Sequence, residues 1–179
     1  FLAAARAVHA APTHDLALAP LAAPADEAVP LVGRGAEYGL LLGMLAHLTG
    51  GTGHVVLVEG EPGIGKSRLM HELAAYARGR GLETLAARCY EIERAMPYQP
   101  VIDLVAQAVE RAPGAVLEKL SPVSLAEIAA LVPALGERIA VPRLSSDFPE
   151  ARRARLFRAI GQLLHALAGG RQLVLMVDD

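Results

Sequence analysis

The sequence predicts an α/β fold in which a parallel sheet is covered by helices on both faces. Two short runs, HVVLV (54–58) and LVLMV (173–177), are apolar or uncharged throughout instead of alternating, as strands buried on both faces are. Stretches with apolar residues at helical spacing stand between the strand candidates, and strands alternating with helices imply a parallel sheet. The composition agrees: 179 residues, 53% hydrophobic with a formal charge of -2, suit one globular domain with a core. They argue against disorder and against a general nucleic-acid-binding surface. Aromatic residues make up only 4% and tryptophan is absent, so Ala, Leu and Val must fill that core.

Residues 1–29 are rich in Ala and Pro and are expected to be a linker or the end of a preceding domain, with a short helix around Leu2 to Ala11. Leu40, Leu41, Met44, Leu45 and Leu48 then recur at helical spacing, and Gly50, Gly51 and Gly53 stop that helix. His54 to Val58 is the first strand candidate. Lys66 to Arg78 carries Leu69, Leu73 and Tyr76 on one face, which predicts a helix, and GLETLAARCY (81–90) is the next strand candidate. From Pro97 to Ala140, helical segments alternate with breaks at Pro113–Gly114, Pro122 and Pro133. Ser146 or Asp147 before Pro149 signals a further helix start. Leu156, Ile160, Leu163, Leu164 and Leu167 form its stripe, and Gly169–Gly170 end it. The last strand runs into Asp178 and Asp179, and no internal repeat is present.

Cys89 is the only cysteine, which rules out an intramolecular disulfide or a cysteine-rich zinc site and makes a reducing cytoplasm the expected compartment. No apolar run reaches the roughly 18 residues a membrane span needs. The apolar start FLAAARAVHAAP has neither a Met nor a basic n-region, so a signal peptide is not expected. The missing Met and the end at VDD are those expected of a fragment of a longer protein.

Gly60-Glu61-Pro62-Gly63-Ile64-Gly65-Lys66-Ser67 follows the first strand and fits G-x-x-x-x-G-K-[ST] at every fixed position. The chain has two lysines, and one of them is Lys66. Triphosphate chemistry accounts for each requirement. The glycines let successive backbone N–H groups turn toward phosphate oxygens. The helix that follows presents free amides and its dipole to an anion. Lys66 would reach the β and γ phosphates, and the Ser67 hydroxyl would ligate Mg²⁺. Arg68 either helps with the phosphates or balances local charge. A nucleotide-bound Mg²⁺ also needs a carboxylate on a rigid strand, and LVLMVDD supplies Asp178 for it. Asp179 is placed to polarise an attacking water or is simply a solvated strand end.

PLVGRGAE (30–37), EGEPGIGKSRL (59–69), RCYEIERAMPYQPVIDLV (88–105) and LVLMVDD (173–179) together resemble the nucleotide-binding part of an AAA-like P-loop ATPase. More narrowly, residues 30–179 are similar to the signal-transduction ATPases with numerous domains (STAND) of large LuxR-type and SARP-type bacterial regulators. The resemblance implies a three-layer α/β/α P-loop domain that stops after the Walker B strand, with Walker A at residues 60–67 and Walker B at 173–179. It implies ATP and Mg²⁺ as cofactors and catalytic roles for Lys66 and Asp179. It also implies a base pocket lined by Val32, Gly33 and Arg34, with Glu37 starting the helix; read from the residues alone, that segment is a glycine turn before an amphipathic helix. Expected partners are ATP or ADP and the protein's own regulatory domains or further copies of itself. DNA would be met only through domains outside these residues, and no membrane contact is expected.

The leading functional expectation is a Mg-ATP switch with slow hydrolysis. An AAA-type motor or loader, a nucleotide-binding scaffold without turnover and, last, a small-molecule kinase are the alternatives. For Tyr98-Gln99-Pro100 the expected role is local helix initiation. Arg152, Arg153, Arg155 and Arg158 form a basic cluster that is either a partner surface or a solvated helix face.

Overall fold

The computed structural model describes residues 33–46, 53–89, 98–142 and 149–178. The expected linker, Val32, Leu48, Gly50, Gly51, Ser146, Asp147 and Asp179 lie outside those residues. The described chain forms α1 (Gly35–Ala46), α2 (Lys66–Gly79), β1 (Glu83–Arg88), α3 (Gln99–Arg111), α4 (Gly114–Leu117), α5 (Pro122–Leu131), α6 (Leu135–Arg138), α7 (Pro149–Ala168) and β2 (Leu173–Asp178). Among the described residues, no helix is long and apolar enough to cross a membrane.

β1 and β2 pair in parallel from Glu83↔Leu173 to Arg88↔Asp178, as the apolar runs predicted for the second and third strand candidates. Side chains alternate across the sheet. Leu85 and Ala87 join one core cluster with residues of α3, α4, α5 and α7, whereas Asp178 meets Ser67 on α2. The core is aliphatic, as the scarcity of aromatics required: Leu85, Leu117, Ile128, Leu135 and Leu163 are the largest side chains wholly removed from water. Full burial of one such side chain contributes about 1.5–3 kcal/mol.

The helices start and stop for local reasons. Tyr98 precedes α3 in a left-handed conformation (φ 77), Pro100 occupies its first turn, and the Tyr98 carbonyl accepts from the Val101 and Ile102 amides. This bears out helix initiation as the role of that tripeptide. At the other end, the Arg138 guanidinium donates to the carbonyls of Val109, Glu110 and Ala112, groups that the end of a helix leaves without intrahelical partners. Ser121 caps α5 by accepting from the Ser124 amide at 3.1 Å, with Pro122 as the first helical residue. Gly169 and Gly170, both at positive φ, end α7 as expected.

Three expectations are corrected. His54–Val58 is not part of any strand ladder among the described residues: β2 pairs only with β1, and a cavity of about 680 Å³ lies along both β2 and the 54–58 segment. Without a neighbouring backbone to bond, an apolar sequence does not make a strand, and Val55 is 70% exposed. Leu40 is exposed although it belongs to the apolar stripe of α1; Leu41 is the buried one. The arginine cluster on α7 is divided. Arg155 Nε donates to the buried Glu127 of α5 at 2.8 Å and Arg152 stands 3.7 Å from the same carboxylate, while Arg153 and Arg158 face solvent. Different faces of one helix therefore clamp a neighbour and meet water.

Candidate functional site

The loop between Glu59 and α2 turns on its glycines. Gly63 (φ 78) and Gly65 (φ 96) occupy the left-handed region, which disfavours residues with a Cβ, and a Cβ on Gly60 would approach Ile64 Cγ2 to 3.0 Å. The residue types demanded by the motif are those this backbone tolerates. Lys66, the first residue of α2, folds back across the loop and donates from Nζ to the carbonyls of Gly60 at 2.9 Å and Glu61 at 3.2 Å. Its ammonium thus stands over the concave side of the loop at the positive end of a 14-residue helix.

Ser67 Oγ donates to Asp178 Oδ1 at 3.0 Å, although 111 residues separate the two in sequence. This contact joins the glycine loop to the acid at the end of β2. A hydroxyl oxygen and a carboxylate side by side are hard oxygen donors of the kind that Mg²⁺ takes together with phosphate oxygens and waters, so the residues present fit that ion. The second carboxylate oxygen, Oδ2, is 3.4 Å from Arg88 Nη2. Arg88 has no part in either sequence motif and was missed by sequence reasoning; only the register of β1 against β2 brings it here.

Arg34, expected beside a base, bonds Glu37 Oε1 at 2.8 Å and the Ile64 carbonyl at 3.2 Å, tying the segment before α1 to the loop. The Glu37 carboxyl is held below its ordinary range chiefly by its own backbone amide, with Arg34 adding to the effect. Tyr38 OH donates to the Glu72 carbonyl at 3.4 Å and so fastens α1 to α2; burial pushes its phenol up, and the nearby Glu72 and Tyr76 do the same. A cavity of about 270 Å³ opens between these elements, lined by Arg34, Leu40, Leu41, Val58, Ile64 and Leu69 among others. From α1 it receives Glu37 beside Leu40 and Leu41, and it adjoins the loop.

Among the expected site residues, the structure brings together Arg34, the loop from Gly60 to Gly65, Lys66, Ser67 and Asp178. Gly33 is exposed before α1 at φ 75. Arg68 turns along α2 and pairs with Glu72 at 2.7 Å, which favours charge balance over phosphate contact. Val32 and Asp179 lie outside the described residues.

A family model described as an AAA ATPase domain matches residues 30–179. An uncharacterized protein of Rhizobium meliloti (strain 1021), R02095, is 26% identical over an alignment 163 residues long that covers 84% of this chain. The chain spans 16% of the length of that curated relative. No solved structure matches the chain significantly.

Proposed function

We propose, from the premise that this chain belongs to the AAA ATPase domain family, that Lys66, Ser67 and Asp178 form a Mg-ATP site serving as a nucleotide switch. The Ser67–Asp178 contact carries the reading, because it unites a phosphate-loop hydroxyl with a strand-end acid at hydrogen-bond distance. The loop amides and the Lys66 ammonium would hold the phosphates, with Lys66 giving up its two loop carbonyls to do so. Ser67 and Asp178 would hold the magnesium, which when bound neutralises phosphate charge. The cavity beside Arg34 and Leu41 would take the base, and the sequence resemblance adds Val32 and Gly33 to the residues assigned to it. Asp179, next along the chain, is assigned the polarising of the attacking water.

A three-layer α/β/α domain, with residues 1–29 as the approach to it, is the architecture we assign. The STAND class is supported by the four sequence blocks, and a relative of which this chain spans 16% fits a module within a larger regulator. In that role ATP binding would order the module, hydrolysis would reset it, and DNA would be read by other domains in the cytoplasm. The family match favours an AAA-type motor or loader as much as a switch, so that is the second reading.

The test is Lys66→Ala in the full-length protein, with ATP affinity measured by equilibrium dialysis and turnover by phosphate release. Loss of the ammonium should weaken ATP binding by about a hundredfold, as expected for charge-assisted contacts to phosphate. Unchanged affinity and turnover would remove the site assignment. Activation by a non-hydrolysable ATP analogue supports a switch, whereas work that stops without turnover supports a motor.

A further inference from the structure

Arg88 ends β1 at the candidate site, and its position is set by backbone pairing. It stands opposite Asp178 in the parallel ladder, and the Cys89 amide donates to the Asp178 carbonyl at 2.7 Å, so the pairing extends one residue beyond it. Partners at one register position project to the same face of a sheet, and the guanidinium is thereby delivered to the carboxylate at 3.4 Å. With Ser67 on Oδ1 and Arg88 on Oδ2, each oxygen of Asp178 has its own donor. The two partners differ in their access to water: the Arg88 side chain is 38% exposed and that of Asp178 only 10%. A carboxylate so withdrawn from solvent needs a compensating charge, and a half-exposed guanidinium can supply it and still swing away into water.

We propose that Arg88 is a positioning residue that acts as the counter-ion of Asp178 in the nucleotide-free protein and yields that carboxylate when magnesium arrives with the nucleotide. The inference rests on the reading of Ser67 and Asp178 as the magnesium site. Two cations then compete for one acid. The metal compensates the same charge that Arg88 compensates, so each lowers the value of the other, and by reciprocity Arg88 weakens metal binding by as much as the metal weakens the ion pair. The acid stays aimed at Ser67 between turnovers, and metal affinity is held down until phosphate oxygens add their share.

The experiment measures binding of a non-hydrolysable ATP analogue to the full-length protein by titration calorimetry, once in EDTA and once with Mg²⁺. Wild type, Arg88→Gln, Arg88→Lys, Asp178→Asn and the Arg88→Gln/Asp178→Asn double variant are compared. In Arg88→Gln, affinity in EDTA should stay within about twofold of wild type while the enhancement by Mg²⁺ grows about threefold to tenfold, the scale of an ion pair with one half-exposed partner. Arg88→Lys should restore most of the wild-type ratio, and the effect of Arg88→Gln should vanish in the Asp178→Asn background. Weaker binding in EDTA would place Arg88 on the phosphates and overturn the proposal. An unchanged Mg²⁺ enhancement, or one that still changes without Asp178, would overturn it as well. Wild-type protein that binds no analogue would defeat the nucleotide-site reading and the proposal with it. A thermal-unfolding cycle on the nucleotide-free variants tells the cases apart, because zero coupling between Arg88 and Asp178 there overturns the counter-ion role alone.

Discussion

The outer edge of β1 is covered by side chains of α3, whereas β2 borders a cavity of about 680 Å³ on the flank where the glycine loop lies. On the first edge, Gln107 Nε2 donates to the Ala86 carbonyl at 2.7 Å, its Oε1 accepts from the Ala86 amide at 3.3 Å, and Arg111 donates to the Thr84 carbonyl at 2.6 Å. These contacts occupy the backbone positions that a further strand would use, so β1 ends the sheet among the described residues. On the other flank Leu175 and Val177 remain exposed, as do Val55 and Leu57 of the 54–58 segment. The core is concentrated on one side of the domain, and the candidate site lies on the other. The closed side needs no further partner, while the glycine loop and its acid sit where the backbone has room to receive one.

The separation can be broken from the closed side. Leu163→Ala removes a side chain of α7 that is wholly buried in the core shared with Leu85, and should cost about 2–5 kcal/mol in denaturant unfolding. Below its unfolding midpoint the variant should keep its ATP affinity within about twofold; a proportionate loss of affinity would show that the two sides act as one.

A smaller effect is expected from Gln107→Ala, which strips two bonds from Ala86 at the covered edge. The expected loss is about 1 kcal/mol, with a rise in self-association seen by analytical ultracentrifugation, because an uncovered edge invites pairing. Wild-type stability together with an unchanged monomer fraction would mean that Gln107 does not close the edge.

The smallest effect concerns Asp103, buried on α3 with Gln99 Nε2 donating to it at 2.9 Å. Burial raises its carboxyl above the ordinary 3.8, and the Gln99 bond only partly opposes that. Because the folded value lies above the unfolded one, stability falls as pH rises from the unfolded value through the folded one, and the cost is complete at neutral pH. Asp103→Asn should therefore match wild type in acid and gain less than about 1 kcal/mol at pH 7. A variant that is less stable at neutral pH would show that the ionised carboxylate is tolerated there.

Much of the helical architecture was legible. The stripe on α7, the proline and glycine breaks between Pro113 and Pro133, and the start of α3 at Tyr98-Gln99-Pro100 all depend on neighbours within a few residues. The turn from Gly60 to Gly65 was legible for the same reason, since its glycine spacing is a local pattern that this backbone requires. The strand expected at His54–Val58 was not borne out, because apolar character says that a segment seeks burial but not which backbone will pair with it. Arg88 heads one of the blocks that carry the resemblance, but nothing local pointed it to Asp178: its place there depends on a register between strands 90 residues apart.

By itself, then, the sequence determined the class of fold, the helix boundaries set by caps and breakers, and the glycine loop before α2, all of which are encoded over a turn or two of chain. Tertiary structure decided which edge of the sheet is closed, which acid oxygen meets Ser67 and which meets Arg88, and which arginines of α7 turn to Glu127. Those choices depend on how distant elements pack and in what register, and a shift of one residue in a strand reverses every side chain on it.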